Sequence, residues 1–110
     1  MDKVQTGERS IQISEDVLRS VAALAVRDVE GVAGLAGNRA SLRDLLVRPV
    51  EVENLGGAIA VDVRIILKNG YRAVQVAKQV QLAVKQSIQD MTGVTAVNVD
   101  VEVTGVDFEE

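Results

Sequence analysis

The stretch from Tyr71 to Thr104 constrains this chain more than any other. It reads as one long amphipathic helix, a glycine stop and one long alternating strand. Ala73, Ala77, Val80, Val84, Ile88 and Met91 recur at steps of three and four, so they share one face of a 3.6-residue helix. Gln75, Lys78, Gln79, Lys85, Gln86 and Gln89 fall on the opposite, solvated face. Gly93 closes the helix, because glycine adopts a left-handed terminal conformation without steric cost. Val97, Val99, Val101 and Val103 then alternate with Asn98, Asp100, Glu102 and Thr104, a period of two with one dry and one wet face. The pattern predicts an apolar helix face packed on an apolar sheet face.

The segments before it supply the rest of that core. Residues 1–7 read as a flexible lead, and Ile11 and Ile13 as a brief strand. Ser14 is a natural N-cap, with Glu15 and Asp16 in the first turn where the helix dipole favours anions. A first helix is expected over Glu15–Glu30, with Val17, Leu18, Val21, Ala22, Leu24, Ala25 and Val29 as its apolar set and Gly31 as its stop. Asp28-Val29-Glu30-Gly31-Val32 parallels Asp90-Met91-Thr92-Gly93-Val94. That parallel fits two similar αβ units on one sheet, or equally a shared helix-stop chemistry without deeper symmetry.

Pro49 opens a strand in which Val50 and Val52 point in and Glu51 and Glu53 point out. Asn54-Leu55-Gly56-Gly57 supplies a hairpin turn, and Ala58–Lys68 returns with Ile59, Val61, Val63, Ile65 and Leu67 on one face. The expected fold is α+β: a two-layer sandwich of two helices packed on one face of a small, mostly antiparallel sheet. One domain over residues 8–106 lies between the lead and an acidic tail, 107–110.

Composition removes most chemistries. The chain of 110 residues holds no His and no Cys, so Ser10, Ser14, Ser20, Ser41 and Ser87 have no imidazole to activate them and zinc has neither of its soft ligands. A Ser–Lys pair is disfavoured, since Ser14 reads as a cap and Ser87 sits at the edge of a core stripe. Gly31, Gly34 and Gly37 are spaced by three and form no phosphate-binding motif. Glu51, Glu53, Asp62, Asp100 and Glu102 share the wet face of the strands, where a solvated acidic surface is expected rather than a cation site. No catalysis, cofactor or bound metal is expected. The net charge of −4 argues against a general grip on nucleic acid. No apolar run approaches the roughly 20 residues of a membrane span, and Met1–Thr6 lacks the apolar core of a signal peptide. A cytoplasmic protein without direct membrane insertion is expected.

One segment stands apart. Arg39, Arg43 and Arg48 are concentrated between the two halves, together with Leu42, Leu45 and Leu46, and Ser41 with Asp44 resembles a capping box. A surface loop with one helical turn sealing the core edge accounts for it. A partner-docking loop also does, since Arg and apolar side chains are a mixture favoured at interfaces. Arg39, Leu42, Arg43, Leu45, Leu46 and Arg48 are therefore the candidate partner-binding residues. An unpaired strand edge, near Ile11–Ser14 or Val32–Leu35, is the other candidate surface.

The order of these segments carries a resemblance. Gly7, Ile11, Ile13, Ser14 and Val17 begin it, and Ala25, Val29, Gly31 and Val32 continue it. Val61, Val63 and Ile65 before Asn69-Gly70 follow, then Val76-Ala77, Val80-Gln81, Met91-Thr92-Gly93-Val94 and Val97, Val99 and Val101. Over residues 7–106 the chain resembles the alkaline-shock-protein family of Gram-positive bacteria, also called the envelope stress response or general stress protein family. No single motif in it is chemically specific; the shared order and spacing carry it. The resemblance implies a small cytoplasmic α+β protein linked to envelope stress, with no catalytic residues to carry over. It also implies docking on a membrane-anchor protein or a fatty-acid-metabolism enzyme, or self-association. The expected function is thus a non-catalytic interaction or scaffold protein, with membrane association running only through a partner. The alternative is a small RNA- or DNA-binding α+β domain, against which stand the acidic sheet face, the scarcity of aromatics (Tyr71 and Phe108 only) and the lack of a GXXG clamp.

Overall fold

The computed structural model describes residues 2–5, 10–36 and 49–108. In chain order these form β1 (Asp2–Gln5), β2 (Ser10–Ile13), α1 (Glu15–Arg27), β3 (Val32–Leu35), β4 (Val50–Asn54), β5 (Ile59–Lys68), α2 (Ala73–Thr92) and β6 (Val97–Asp107). The first strand falls within the segment expected as a flexible lead; it pairs antiparallel with β2, Asp2 opposite Ile13 and Gln5 opposite Ser10.

Helix α1 starts where its capping chemistry directs. The Ser14 hydroxyl accepts from the Val17 N–H at 3.2 Å, and Glu15 and Asp16 occupy the first turn. The helix ends three residues earlier than the pattern suggested, at Arg27, with Asp28 as a right-handed C-cap. Gly31 therefore does not stop α1. It turns the chain into β3 at φ 98°, a conformation that only glycine enters without strain. Gly93 does act as expected, closing α2 at φ 76° with its N–H on the Gln89 carbonyl at 2.8 Å.

Strand β5 is the axis of the sheet. One of its edges pairs antiparallel with β4, from Val50 opposite Val63 to Asn54 opposite Ile59, and further along with β3, from Val32 opposite Leu67 to Leu35 opposite Ile65. The other edge pairs with β6 in parallel from Ile59 opposite Val97 to Lys68 opposite Asp107, with a bulge between Ile65 and Ile66. The Thr104 hydroxyl, at that bulge, donates to the Ile65 carbonyl at 3.2 Å. The architecture is the expected α+β sandwich, with two antiparallel pairings and one long parallel one. The helix between β5 and β6 makes the parallel pairing possible, since α2 carries the chain back to the start of β5. The units α1–β3 and α2–β6 thus flank β5 with opposite strand directions.

Both helices lie on one face. Leu18, Ala22 and Val26 of α1 and Val80, Val84 and Ile88 of α2 are fully buried, facing Val61, Val63 and Ile65 of β5. Several side chains assigned to the core from periodicity lie elsewhere. Val17 and Leu24 are 45% and 62% exposed, because the buried stripe of α1 is Leu18–Ala22–Ala25–Val26 and they fall to one side of it; Val21 is half-buried. In α2 the stripe is Val76–Val80–Val84–Ile88, a strict step of four, which leaves Ala73 and Met91 exposed and Ala77 half-buried. Val76, absent from the apolar set expected of this helix, is therefore core. Val99 and Val101 are half-buried rather than enclosed, since β6 lies at the rim of the sheet where α2 covers only part of it.

Candidate docking surface

The Arg-rich candidates Arg39, Leu42, Arg43, Leu45, Leu46 and Arg48 lie outside the described residues. Their point of departure does not. The Ala36 N–H donates to the Arg64 carbonyl at 3.0 Å and the Arg64 N–H donates to the Pro49 carbonyl at 2.8 Å. Ala36 and Pro49 thus meet a single residue of β5. Pro49 accepts there and donates nothing, which is how a proline is tolerated at a strand end.

Both strands expected to offer an edge are paired on one side among the described residues. The Ile11–Ser14 region is paired through β2 to β1, and Val32–Leu35 is paired on one side to β5. The long continuous edge is β6, which among the described residues pairs only with β5. The Ile59 N–H bonds the Ala96 carbonyl at 2.9 Å, so the even-numbered residues that follow turn their backbone groups toward β5. Val99, Val101 and Val103 therefore turn theirs outward. One of these outward groups is taken: the Gln81 side-chain amide donates to the Val99 carbonyl at 3.0 Å.

A groove of about 510 Å³ runs beside this edge, lined on α2 by Lys78, Gln81, Leu82 and Lys85 and on β6 by Val97 to Asp100. Lys78, Leu82 and Lys85 form one stripe at steps of four and three. Leu82 is 62% exposed at the centre of that stripe. A second groove, about 560 Å³, opens on its other side toward Asp28, Val29 and Glu30. Leu82 is thus a ridge between two concavities.

The uncovered face of the sheet gathers the carboxylates that the alternation assigned to it. Glu51 stands opposite Asp62 and Asp62 beside Asp100, so three carboxylates cross the sheet in one row. Arg64 answers part of this charge, with Nε 3.3 Å from Glu102 and a guanidinium nitrogen 3.9 Å from Glu51. Such surface pairs contribute about 0–1 kcal/mol each. Among the described residues no group of three or more carboxylates is arranged to hold a metal ion. None of their helices is long and apolar enough to cross a membrane.

Comparison with known proteins agrees over nearly the whole length. The profile of the alkaline shock protein 23 family, described as having a cell envelope-related function, matches residues 3–108. The uncharacterized protein YloU of Bacillus subtilis is 30% identical over 113 residues, covering 94% of this chain and 93% of its own. The uncharacterized protein Spy1614 of Streptococcus pyogenes serotype M6 is 29% identical over 112 residues, with the same coverage. Among solved structures, two variants of the MamM CTD superpose with TM-scores of 0.52 and 0.53 at 15% identity, covering 84% and 86% of this chain and 95% and 100% of theirs. At that identity the likeness is one of fold.

Proposed function

This chain belongs to the alkaline shock protein 23 family, whose function is cell envelope-related, and on that premise we propose that it is a non-catalytic docking module. It works in the cytoplasm and reaches the membrane only through a partner, either a membrane-anchor protein or an enzyme of fatty-acid metabolism. The observation that carries this reading is the Leu82 ridge. A large apolar side chain held 62% exposed between two grooves leaves most of its transfer free energy unrealised. Fully burying a leucine contributes about 1.5–3 kcal/mol, which a partner covering Leu82 recovers. The Arg39–Arg48 segment is a second docking element on this reading, since its mixture of Arg and Leu side chains is favoured at interfaces.

A nucleic-acid role is less well supported. An RNA-binding sheet stacks bases on aromatics, whereas this open face carries Glu51, Asp62, Asp100 and Glu102, which repel phosphate. Immobilised protein exposed to lysate of the native host tests the reading. A membrane-anchor or lipid-metabolism protein captured in near-stoichiometric amount is the expected result. Co-purifying nucleic acid removed by salt, or no protein above background, contradicts it.

A further inference from the structure

We propose that the edge of β6 accepts an extended segment of the protein partner as an added strand, with basic side chains on the carboxylate face of the sheet and apolar or acidic ones toward α2. The inference rests on the docking reading above and specifies its chemistry.

The backbone argument comes first. From Val97 to Val103, ahead of the bulge, the outward groups of Val99, Val101 and Val103 form the template that a sheet edge offers to another chain. Gln81 already occupies one acceptor with a side-chain N–H, standing where an incoming backbone N–H would stand. The opposite rim is a poorer template because it is made of two short separate strands, β3 and β4, that meet at Arg64.

The side chains then define the occupant. On the outer face the row Glu51–Asp62–Asp100 ends at the β6 edge, and among the described residues no ion pair reaches Asp62 or Asp100. The next position in that row, on an added strand, is a site for Lys or Arg, because opposite charges across strands attract. On the other face the added strand meets Lys78, Leu82 and Lys85, which favour an apolar residue at the centre flanked by acidic ones. A second copy of β6 fails this requirement. It would set Asp100 and Glu102 against the same carboxylates of its twin, a like-charge contact that destabilises pairing. The occupant is therefore a strand of different sequence, alternating basic with apolar or acidic residues.

The test uses the full chain, isotope-labelled, and two synthetic peptides of one composition. One is Lys-Glu-Arg-Val-Lys-Val-Arg-Glu-Lys; in the other the alternation is broken. The alternating peptide is expected to shift the amides of Val99, Val101 and Val103, slow their exchange, and bind at least about fivefold more tightly than its control, the worth of one good cross-strand pair. Val101→Pro should abolish binding while preserving the fold, since the Val101 N–H makes no bond to β5. Asp100→Lys should weaken binding about fivefold and decides the matter where the proline variant is unfolded. Equal binding of both peptides, or shifts confined away from β6, overturns the proposal, as does undiminished binding by the folded variants. Concentration-dependent protection of the same amides without peptide would make a second copy the occupant and overturn it too. A host partner captured equally by wild type and Val101→Pro sinks the added strand and leaves the docking reading intact; a wild type that captures no partner sinks the docking reading itself.

Discussion

The hydroxyl of Tyr71 donates a 3.0 Å hydrogen bond to the carboxylate of Glu30, joining the residues that lead into α2 to the turn that follows α1. The bond, and the negative charge of Glu30 behind it, raise the Tyr71 pKa above its ordinary value of 10.0. Because the fold favours the protonated phenol, its stabilising contribution is complete below pH 10.0 and fades as pH rises through the higher folded value. Tyr71 is the one tyrosine in the chain, so tyrosinate absorbance reports it alone. Its midpoint should lie above 10.0 in wild type and fall back toward 10.0 in Glu30→Gln; a wild-type midpoint at or below that value contradicts the bond.

The same corner makes Gly31 the least replaceable of the left-handed glycines. A Cβ there would stand 2.7 Å from Val76 Cγ2 and 2.8 Å from Tyr71 Cδ2, whereas at Gly93 it would meet nothing within 4 Å. Gly93→Ala should cost about 1–2 kcal/mol for the backbone conformation alone. Gly31→Ala adds the clash and should cost about 3 kcal/mol or more. Paired urea denaturation curves check the difference, and equal losses would refute the close packing at Gly31.

The α2 stripe can be tested along its length. Val84 is fully buried between helix and sheet, and Val84→Ala should lose about 1–2 kcal/mol through the cavity it leaves. Val84→Asp should abolish the folding transition, because an unpaired buried charge exceeds the stability margin of a small domain. Met91, 45% exposed, should tolerate alanine with a change within about 0.5 kcal/mol. Thermal melts that rank Met91→Ala with Val84→Ala would overturn the assigned face.

Much of this was legible in the residues. Ser14, Gly93 and the alternations of β5 and β6 located the elements, because caps and periodicity are local properties. The family was legible too, from the order of motifs. What periodicity cannot separate is an exposed residue at the rim of the apolar side from a core one at its centre. Val17, Leu24 and Met91 were misplaced for that reason, and Val76 was left out of the apolar set. The edge position of β6 escaped because alternation reads the same in a central and an edge strand. The missed signal was the long helix between β5 and β6, whose crossover makes the strands parallel neighbours. The stop of α1 was misread because Gly31 suits either a helix cap or the turn that actually contains it.

The most direct test of the account is partner capture by two variants of matched chemistry, Leu82→Glu and Leu24→Glu. Both leucines are 62% exposed, so both variants should melt within about 0.5 kcal/mol of wild type. Only Leu82 lies in the grooves. The account predicts that Leu82→Glu loses the host partner while Leu24→Glu captures it as wild type does. Undiminished capture by a folded Leu82→Glu protein would contradict it.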